Sequence, residues 1–557
     1  MSDPQGAPGQ GDASHSDDLE AHNPNIASAL HIRAAQHPDR SAIIEYRRGR
    51  VRRVSFGELS VEVKRAAGVL QREGIGPGDR VLVLVPMSAD LYGVFLGCLH
   101  LGATVVFVDA WAGRKRLEDA VSAAAPRAFI GVRKGLWLRF LSPSLRRIPL
   151  RLRVKPGRGL VKRMPAGPLP PTTRVAAENP ALVTFTTGTT GQPKGAVRSH
   201  EFLWAQHHAL TRHMAPRADD VDMPTLPIFV LNNLAGGVPS VLPDFDPRRP
   251  AEIDPADIHR QMVAEGVTTT TGSPAFYERL ATWCREEGKP LPLRALFTGG
   301  APVLPPLARL LSEVVTGQAH VIYGSTEAEP ISGISVEGML EAWGRGVEPG
   351  GGESGPHPQG LCVGPPVPET SIRVLRVHEG PIRLDQGGWP LWEVPRGGAG
   401  ELVVAGDHVL EGYVGDPEAE TLAKIRDQGS GRVWHRTGDA ARLDPEGWIW
   451  LLGRVGARVV REEREWWPLP AELRALALPR VRHAAFLGAP DPELGSRAVL
   501  CVEVPGGRLD DEGRRDLRAA LDPIPVDEIR AVGRIPRDPR HESKTDMGAL
   551  RALLDLG

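Results

Sequence analysis

Apolar positions in this chain come in short runs separated by turn-forming residues, and their lengths and periods predict alternating strands and helices. Arg80 to Pro86 (RVLVLVP) is a continuous apolar run of strand length, Ala89 to Leu101 is long enough for a helix, and Ala103 to Val108 is again strand-like. Strands apolar on both sides belong to parallel sheets covered by helices. The same rhythm returns at Ile258 to Thr271 and at Arg294 to Tyr323, whereas the Gly/Pro-rich stretch Gly344 to Pro368 interrupts it and predicts a loop bordering a site. Met1 to Pro24, poor in apolar residues, predicts a disordered tail over 1–24. The pattern predicts an α/β fold with a large N-terminal domain of parallel-type sheets and helices over 25–454. A small C-terminal α/β domain follows over 455–557, with Gly453-Arg454 at the approach to the hinge.

Composition adds little beyond a globular enzyme: 557 residues, 41% hydrophobic and 24% charged, suit more than one core. A net charge of -1 gives no overall attraction to nucleic acid, so no nucleic-acid partner is expected. Cys98, Cys284, Cys362 and Cys501 are widely spaced, which speaks against a disulfide scaffold or zinc site and for a cytoplasmic protein. Neither an export signal nor an apolar stretch of membrane-spanning length is present in this sequence.

The chemistry begins at Ala181 to Gly195, ALVTFTTGTTGQPKG, where an apolar run empties into small hydroxyl residues and glycines. Gly188 and Gly191 allow close approach of the backbone to an anion, Thr186, Thr187, Thr189 and Thr190 offer hydroxyls, and Lys194 adds a positive charge. The lysine stands between Pro193 and Gly195 rather than in Gly-Lys-Ser/Thr, which excludes the loop of common nucleotide hydrolases. Further along come Gly299-Gly300-Ala301-Pro302, Tyr323-Gly324-Ser325-Thr326-Glu327, Trp434-His435-Arg436-Thr437-Gly438-Asp439, Gly453-Arg454, and Lys544 in RHESK.

These motifs, in this order from about Asn25 to the end, resemble the adenylate-forming superfamily of acyl-CoA synthetases, luciferases and peptide-synthetase adenylation domains. The resemblance implies ATP and Mg²⁺ as cofactors, with attack of a carboxylate on the α-phosphate and a small domain that moves to deliver a lysine. Such attack requires neutralising two mutually repelling anions and the charge that spreads over phosphorus. By the resemblance Glu327 is the metal ligand, Thr326 bonds the α-phosphate, Gly299 to Ala301 lie against adenine, and Tyr323, Gly324 and Ser325 border it. Asp439 accepts the ribose hydroxyls with Arg454 beside it, and Lys544 is catalytic together with Thr326 and Glu327.

A narrower resemblance lies in DMPTLPIFVLNNLAGG (Asp222 to Gly237), VLPDFDPRRPAEIDP (Val241 to Pro255) and IPRDPRHESK (Ile535 to Lys544). These segments are similar to the fatty-acid-ligase-like branch that contains the β-lactone synthetases of bacterial olefin biosynthesis. That branch implies activation of a 2-alkyl-3-hydroxy fatty acid, whose own hydroxyl then expels AMP. The alternatives are a long-chain fatty acid–CoA or acyl-carrier ligase and an inactive adenylate-binding scaffold. Gly456 stands where the superfamily usually has Asp or Lys, and Arg461 to Glu472 (REEREWWPLPAE) lacks the Lys/Gly arrangement common beside a pantetheine tunnel, so coenzyme A is disfavoured. Met547 is a third departure, at a position often basic. Trp466 and Trp467 are expected in core packing.

For the acid itself, the run Ile228 to Leu234 predicts either an acyl channel, with Phe229 and Val230 as walls and the amides of Asn232 and Asn233 orienting a hydroxyl, or a buried helix start. Gly272 and Ser273 are expected beside the carboxylate. Between Arg133 and Arg163 stand eleven Lys or Arg residues and no acid, interleaved with leucines, Trp137 and Phe140. This segment predicts peripheral contact with a membrane, contact with an acidic partner enzyme of a lipid pathway, or a solvated basic face, and Pro143, Pro149 and Pro156 exclude one continuous helix.

Overall fold

The run RVLVLVP folds as the strand Arg80–Leu84, and Ser88 caps the helix Ala89–His100 by accepting a hydrogen bond from the Leu91 amide at 3.3 Å. That helix is buried on every side, as a sequence with no polar face demands. The computed structural model describes residues 23–108, 113–160, 168–187, 193–345, 360–384, 387–461, 464–537 and 544–556. Residues 1–22 of the expected tail lie outside them. Asn25 is fully buried, and its amide donates to the carbonyls of Leu99 at 2.7 Å and Thr173 at 3.0 Å.

The chain divides into two units, residues up to Asp244 with Gly412–Ala419, and Phe245–Glu411 with the chain from Glu420 onward. In the first, an eight-stranded sheet runs in the order Tyr413–Val414, Pro193–Ser199, Pro180–Thr187, Thr104–Val108, Arg80–Leu84, Ala128–Gly131, Leu150–Lys155, Gly159–Leu160. Its five central strands, from Pro180–Thr187 to Leu150–Lys155, are parallel and its edges antiparallel. Leu82, Val106, Phe129, Val183, Leu145 and Ile148 share one apolar core beneath the helix Arg114–Ala124.

In the second unit, Thr269–Gly272, Ala295–Gly299 and Gln318–Ser325 are parallel neighbours, with Ala328–Ser335 antiparallel at the end. An antiparallel sheet follows, in the order Leu361–Gly364, Ile449–Arg454, Val433–Leu443, Gly400–Ala405, Ser371–Leu375, with Lys424–Arg426 paired to Val433–Leu443. The Gly/Pro-rich stretch expected as a loop therefore includes a strand: Leu361–Gly364 is buried and hydrogen-bonded to Ile449–Leu451 partners, and packing overrides composition there. Nor are all the sheets of the large region parallel. From His483 onward His483–Asp491, Gly495–Glu503 and Glu528–Val532 form a three-stranded sheet covered by the helices Pro468–Leu476, Asp511–Leu521 and Met547–Leu553. Both tryptophans pack as expected, Trp467 with Ala440 and Leu452, and Trp466 on the core around Phe486.

Candidate active site

Parallel pairing sets Gly299 beside Ile322 at the carboxyl ends of two adjacent strands, the usual place for a ligand crevice in open α/β sheets. A Cβ at Gly299 would stand 2.3 Å from the Ile322 carbonyl oxygen, so only glycine lets the chain leave the sheet there. Gly300 is exposed and Ala301 partly so. On the neighbouring strand the register shifts between Tyr323 and Ser325 against Ala328–Ser335, a bulge at Gly324 that re-aims the following side chains. Ser325 Oγ accepts from the Glu327 amide at 3.2 Å, and the Glu327 carbonyl accepts from the Leu410 amide at 2.7 Å. The Thr326–Glu327 backbone is thus held while both residues remain partly exposed.

Asp439 is brought to this crevice by the antiparallel sheet, where it pairs across from Arg454. Tyr323 Oη donates to Asp439 Oδ2 at 2.7 Å, and Arg454 Nη1 donates to Oδ1 at 2.8 Å and to the Thr437 carbonyl at 3.1 Å. A carboxylate offers about four acceptor positions. Each oxygen therefore keeps one for a ligand donor. Burial above all, and then the Asp439 charge, hold the Tyr323 phenol well above its ordinary pKa, so it stays a donor. Gly438 has φ +68° and a Cβ there would meet Arg454 Nη2 at 2.7 Å, which accounts for glycine before the aspartate.

Beneath this bulge in the strand lies a carboxylate that the sequence motifs do not mark. Glu401 receives Arg436 Nε at 2.9 Å and Nη2 at 2.6 Å, and accepts from the Gly438 amide at 3.2 Å. The two side chains are only 4% and 9% exposed, and Arg436 Nη1 also reaches the carbonyls of Gly380 at 2.8 Å and Leu422 at 3.1 Å. A desolvated pair of this kind, with two guanidinium nitrogens on Oε2 and the Gly438 amide on Oε1, locks the Arg436–Asp439 segment of the strand Val433–Leu443. Its signal was a lone acid in the apolar strand Gly400–Ala405 (GELVVA).

Nor do the motifs mark Lys424. It is 5% exposed and its Nζ donates to the Leu410 carbonyl, while the Leu410 amide holds Glu327. Burial pulls this ammonium down to about 7 against the opposing effects of Glu327, Glu420 and Glu411. Glu327 fits a magnesium ion that takes its other ligands from phosphate and water, since Mg²⁺ commonly uses one or two carboxylates.

The remaining expected residues are distributed as follows. Thr186 and Thr187 end the strand Pro180–Thr187, where they pair with Lys194 and Pro193, and the Lys194 ammonium lies 5.7 Å from the Tyr413 ring centre. Gly188, Thr189, Thr190 and Gly191 lie outside the described residues. Lys544 is exposed, next to Thr545, which bridges to Arg537 and whose hydroxyl lies 3.1 Å from His483 Nε2. Gly456 lies in the turn Val455–Ala457, with open space where a Cβ would be.

On the helix Pro227–Gly236, Phe229 and Val230 are buried, whereas Ile228, Leu231, Asn232 and Leu234 line a narrow cavity of about 40 Å³. His207, held neutral by burial with its pKa near 4, donates from Nδ1 to Asn232 Oδ1 at 2.8 Å on the cavity wall. Asn233 is committed to the fold, its amide donating to Asp222 Oδ2 at 2.8 Å and to Ser240 Oγ at 3.1 Å. The cavity has room for about one water. An acyl chain entering there must displace side chains. Gly272 closes the strand Thr269–Gly272, and Ser273, 7% exposed, begins the helix Pro274–Glu287.

Strand-end glycines beside a carboxylate that keeps two acceptor positions are the features of an AMP-forming ligase. Residues 30–414 match the family model of AMP-binding enzymes, and the chain belongs to that family. It is similar to the olefin beta-lactone synthetase of Xanthomonas campestris pv. campestris, 32% identical over 512 residues that cover 87% of each chain. It is also similar to a feruloyl-CoA synthase of Amycolatopsis sp., 29% identical over 472 residues, 82% of this chain and 85% of the relative. Among solved structures, the amide bond synthetase McbA from Marinactinospora thermotolerans shares the fold, with a TM-score of 0.76 at 24% identity over 95% of this chain and 99% of that one.

Proposed function

We propose that the protein uses ATP and Mg²⁺ to convert a 3-hydroxy fatty acid into its acyl adenylate and then closes a β-lactone. The observation that carries this reading is the likeness to the Xanthomonas olefin beta-lactone synthetase across 87% of both chains. In the first step the substrate carboxylate attacks the α-phosphorus and pyrophosphate leaves. In the second, the C3 hydroxyl oxygen bonds to the acyl carbon, the acyl–phosphate bond breaks, and AMP departs as the hydroxyl proton is lost. Proximity favours this ring closure, because aligned intramolecular nucleophiles reach effective molarities of about 10⁵ M or more, against which the strain of a four-membered ring counts.

The residues divide the work. The acceptor positions left on Asp439 suit the two ribose hydroxyls, with Tyr323 and Arg454 holding the carboxylate in place. Glu327 would hold the magnesium, which supplies charge neutralisation at the phosphates. Thr326, Lys194 and the residues Gly188 to Gly191 would bind phosphate oxygens, and Lys544, carried by a small mobile domain over 455–557, would stabilise the charge that develops on transfer. No helix among the described residues is long and apolar enough to cross a membrane. The four cysteines are buried and form no disulfide, in keeping with a cytoplasmic enzyme.

Similarity to the Amycolatopsis feruloyl-CoA synthase favours a second reading, thioester formation with coenzyme A. Incubation with ATP, Mg²⁺ and either a plain or a 3-hydroxy fatty acid, with and without CoA, separates the two by product mass. We expect AMP and a product one water lighter than the hydroxy acid, at a rate indifferent to CoA. Efficient thioester formation from plain acids, with no dehydrated product from hydroxy acids, would replace the lactone reading with the ligase.

A further inference from the structure

Between the parallel strands Ala128–Gly131 and Leu150–Lys155, near one edge of the first sheet, the chain makes two five-residue helices, Arg133–Trp137 and Pro143–Arg147, joined through a single turn at Leu138–Phe140. The apolar residues of this crossover separate into two sets. Leu145, Ile148, Leu152 and Val154 are at most 3% exposed and turn inward. Trp137, Leu138, Phe140 and Leu141 turn outward, at 62, 38, 57 and 61% exposure. Four of the eleven exposed large apolar side chains among the described residues thus fall within five positions, and they include both aromatic ones. Scattered exposed leucines need no explanation, but a contiguous aromatic patch does.

Cations surround it. The Arg139 guanidinium lies 4.6 Å from the centre of the Phe140 ring, Arg146 Nη2 donates to the Phe140 carbonyl at 3.2 Å, and Trp137 meets Phe140 edge-on at 5.9 Å. Arg133, Lys134, Arg146 and Arg147 are exposed, and among the described residues none of these cations is ion-paired. The chain as a whole is nearly neutral, yet Arg133 to Arg163 holds eleven cations and no carboxylate. From this juxtaposition we propose that the 133–147 crossover docks the enzyme on an anionic lipid surface, Trp137, Phe140 and Leu141 entering the headgroup boundary and the arginines engaging phosphates. The helices are too short to span, so the contact is interfacial and reversible. Charge complementarity selects an anionic bilayer, and the aromatic–arginine composition suits its interface.

The test is sedimentation of the full-length protein, without ATP or acid, with vesicles of phosphatidylcholine alone or mixed with phosphatidylserine, so its outcome is independent of which product the enzyme makes. Wild type should sediment with the mixed vesicles, less so in high salt. Each cation near an anionic surface contributes about fivefold in affinity at low salt, so R139Q/R146Q/R147Q should bind about a hundredfold more weakly. W137S/F140S/L141S should lose about tenfold or more on either lipid mixture. Both sets are surface residues outside the nucleotide site, and pyrophosphate exchange with a short, water-soluble acid should match wild type in each, which verifies folding. Quenching of tryptophan fluorescence by brominated lipid should fall in Trp137→Phe. The proposal fails if wild type stays in the supernatant with anionic vesicles, if either triple variant sediments as wild type does, or if the patch engages only an acidic protein.

Discussion

Asp439→Asn tests how the nucleotide is held, because the structure dictates how the new amide must sit. Arg454 has donors only, so the remaining carbonyl oxygen of the asparagine must face Arg454, 2.8 Å from Oδ1 in the native pair. The amide nitrogen then faces Tyr323, whose hydroxyl can rotate to accept. One ribose hydroxyl keeps an acceptor and the other meets an N–H. Loss of one hydrogen bond to a charged acceptor costs about 1.5–3 kcal/mol, or about 10- to 150-fold. In pyrophosphate exchange, the KM for ATP should rise by that factor with a smaller change in kcat. The sharper readout is the pair of 2′-deoxy and 3′-deoxy ATP. Wild type should be penalised about equally for losing either hydroxyl, whereas the variant should be penalised for only one of them. Equal use of ATP and both deoxy analogues by the wild type would show that Asp439 does not hold the ribose.

Lys544→Ala should lower pyrophosphate exchange by about 10²-fold or more, the usual loss of one transition-state donor, while calorimetric ATP binding is largely kept; near-wild-type exchange would mean that another lysine acts. Glu327→Gln should cut activity sharply, with only partial recovery in excess magnesium, and an unchanged rate and magnesium dependence would make the Tyr323 to Glu327 segment structural. Glu472 supplies a pH prediction: burial lifts its carboxyl from 4.5 to about 7 even though it accepts from the Phe486 amide at 3.1 Å. Because the folded pKa is the higher, its stabilising effect is complete below the unfolded value and is lost as pH rises through about 7. Glu472→Gln, which can still accept from Phe486, should therefore be about 1–3 kcal/mol more stable than wild type at pH 8 and little different at pH 4. Denaturant midpoints at the two pH values decide it, and an equal offset at both would refute the burial argument.

Much of the fold was legible from local pattern. Apolar runs such as Arg80 to Pro86 and Ala89 to Leu101 state their element by length and period, because these signals act over one or two turns of chain. The glycines of the motifs have a local reason: a close backbone approach at Gly299 or a left-handed conformation at Gly438 restricts the residue type at that position. The partners of polar side chains were not legible. Tyr323 meets Asp439 across 116 residues, and Glu401 meets Arg436 across 35, so neither pairing has a local signature. Leu361–Gly364 becomes a strand only because Ile449–Arg454 is there to pair with it. Asn232 and Asn233 are chemically identical and adjacent, yet the helix turns one toward a cavity and the other toward Asp222. Likewise Leu145 and Leu141 read alike in the sequence and end on opposite sides of the surface. Residue type and spacing determine what each segment can become, whereas which groups share a site depends on how distant segments pack, and that is decided only when the whole core closes.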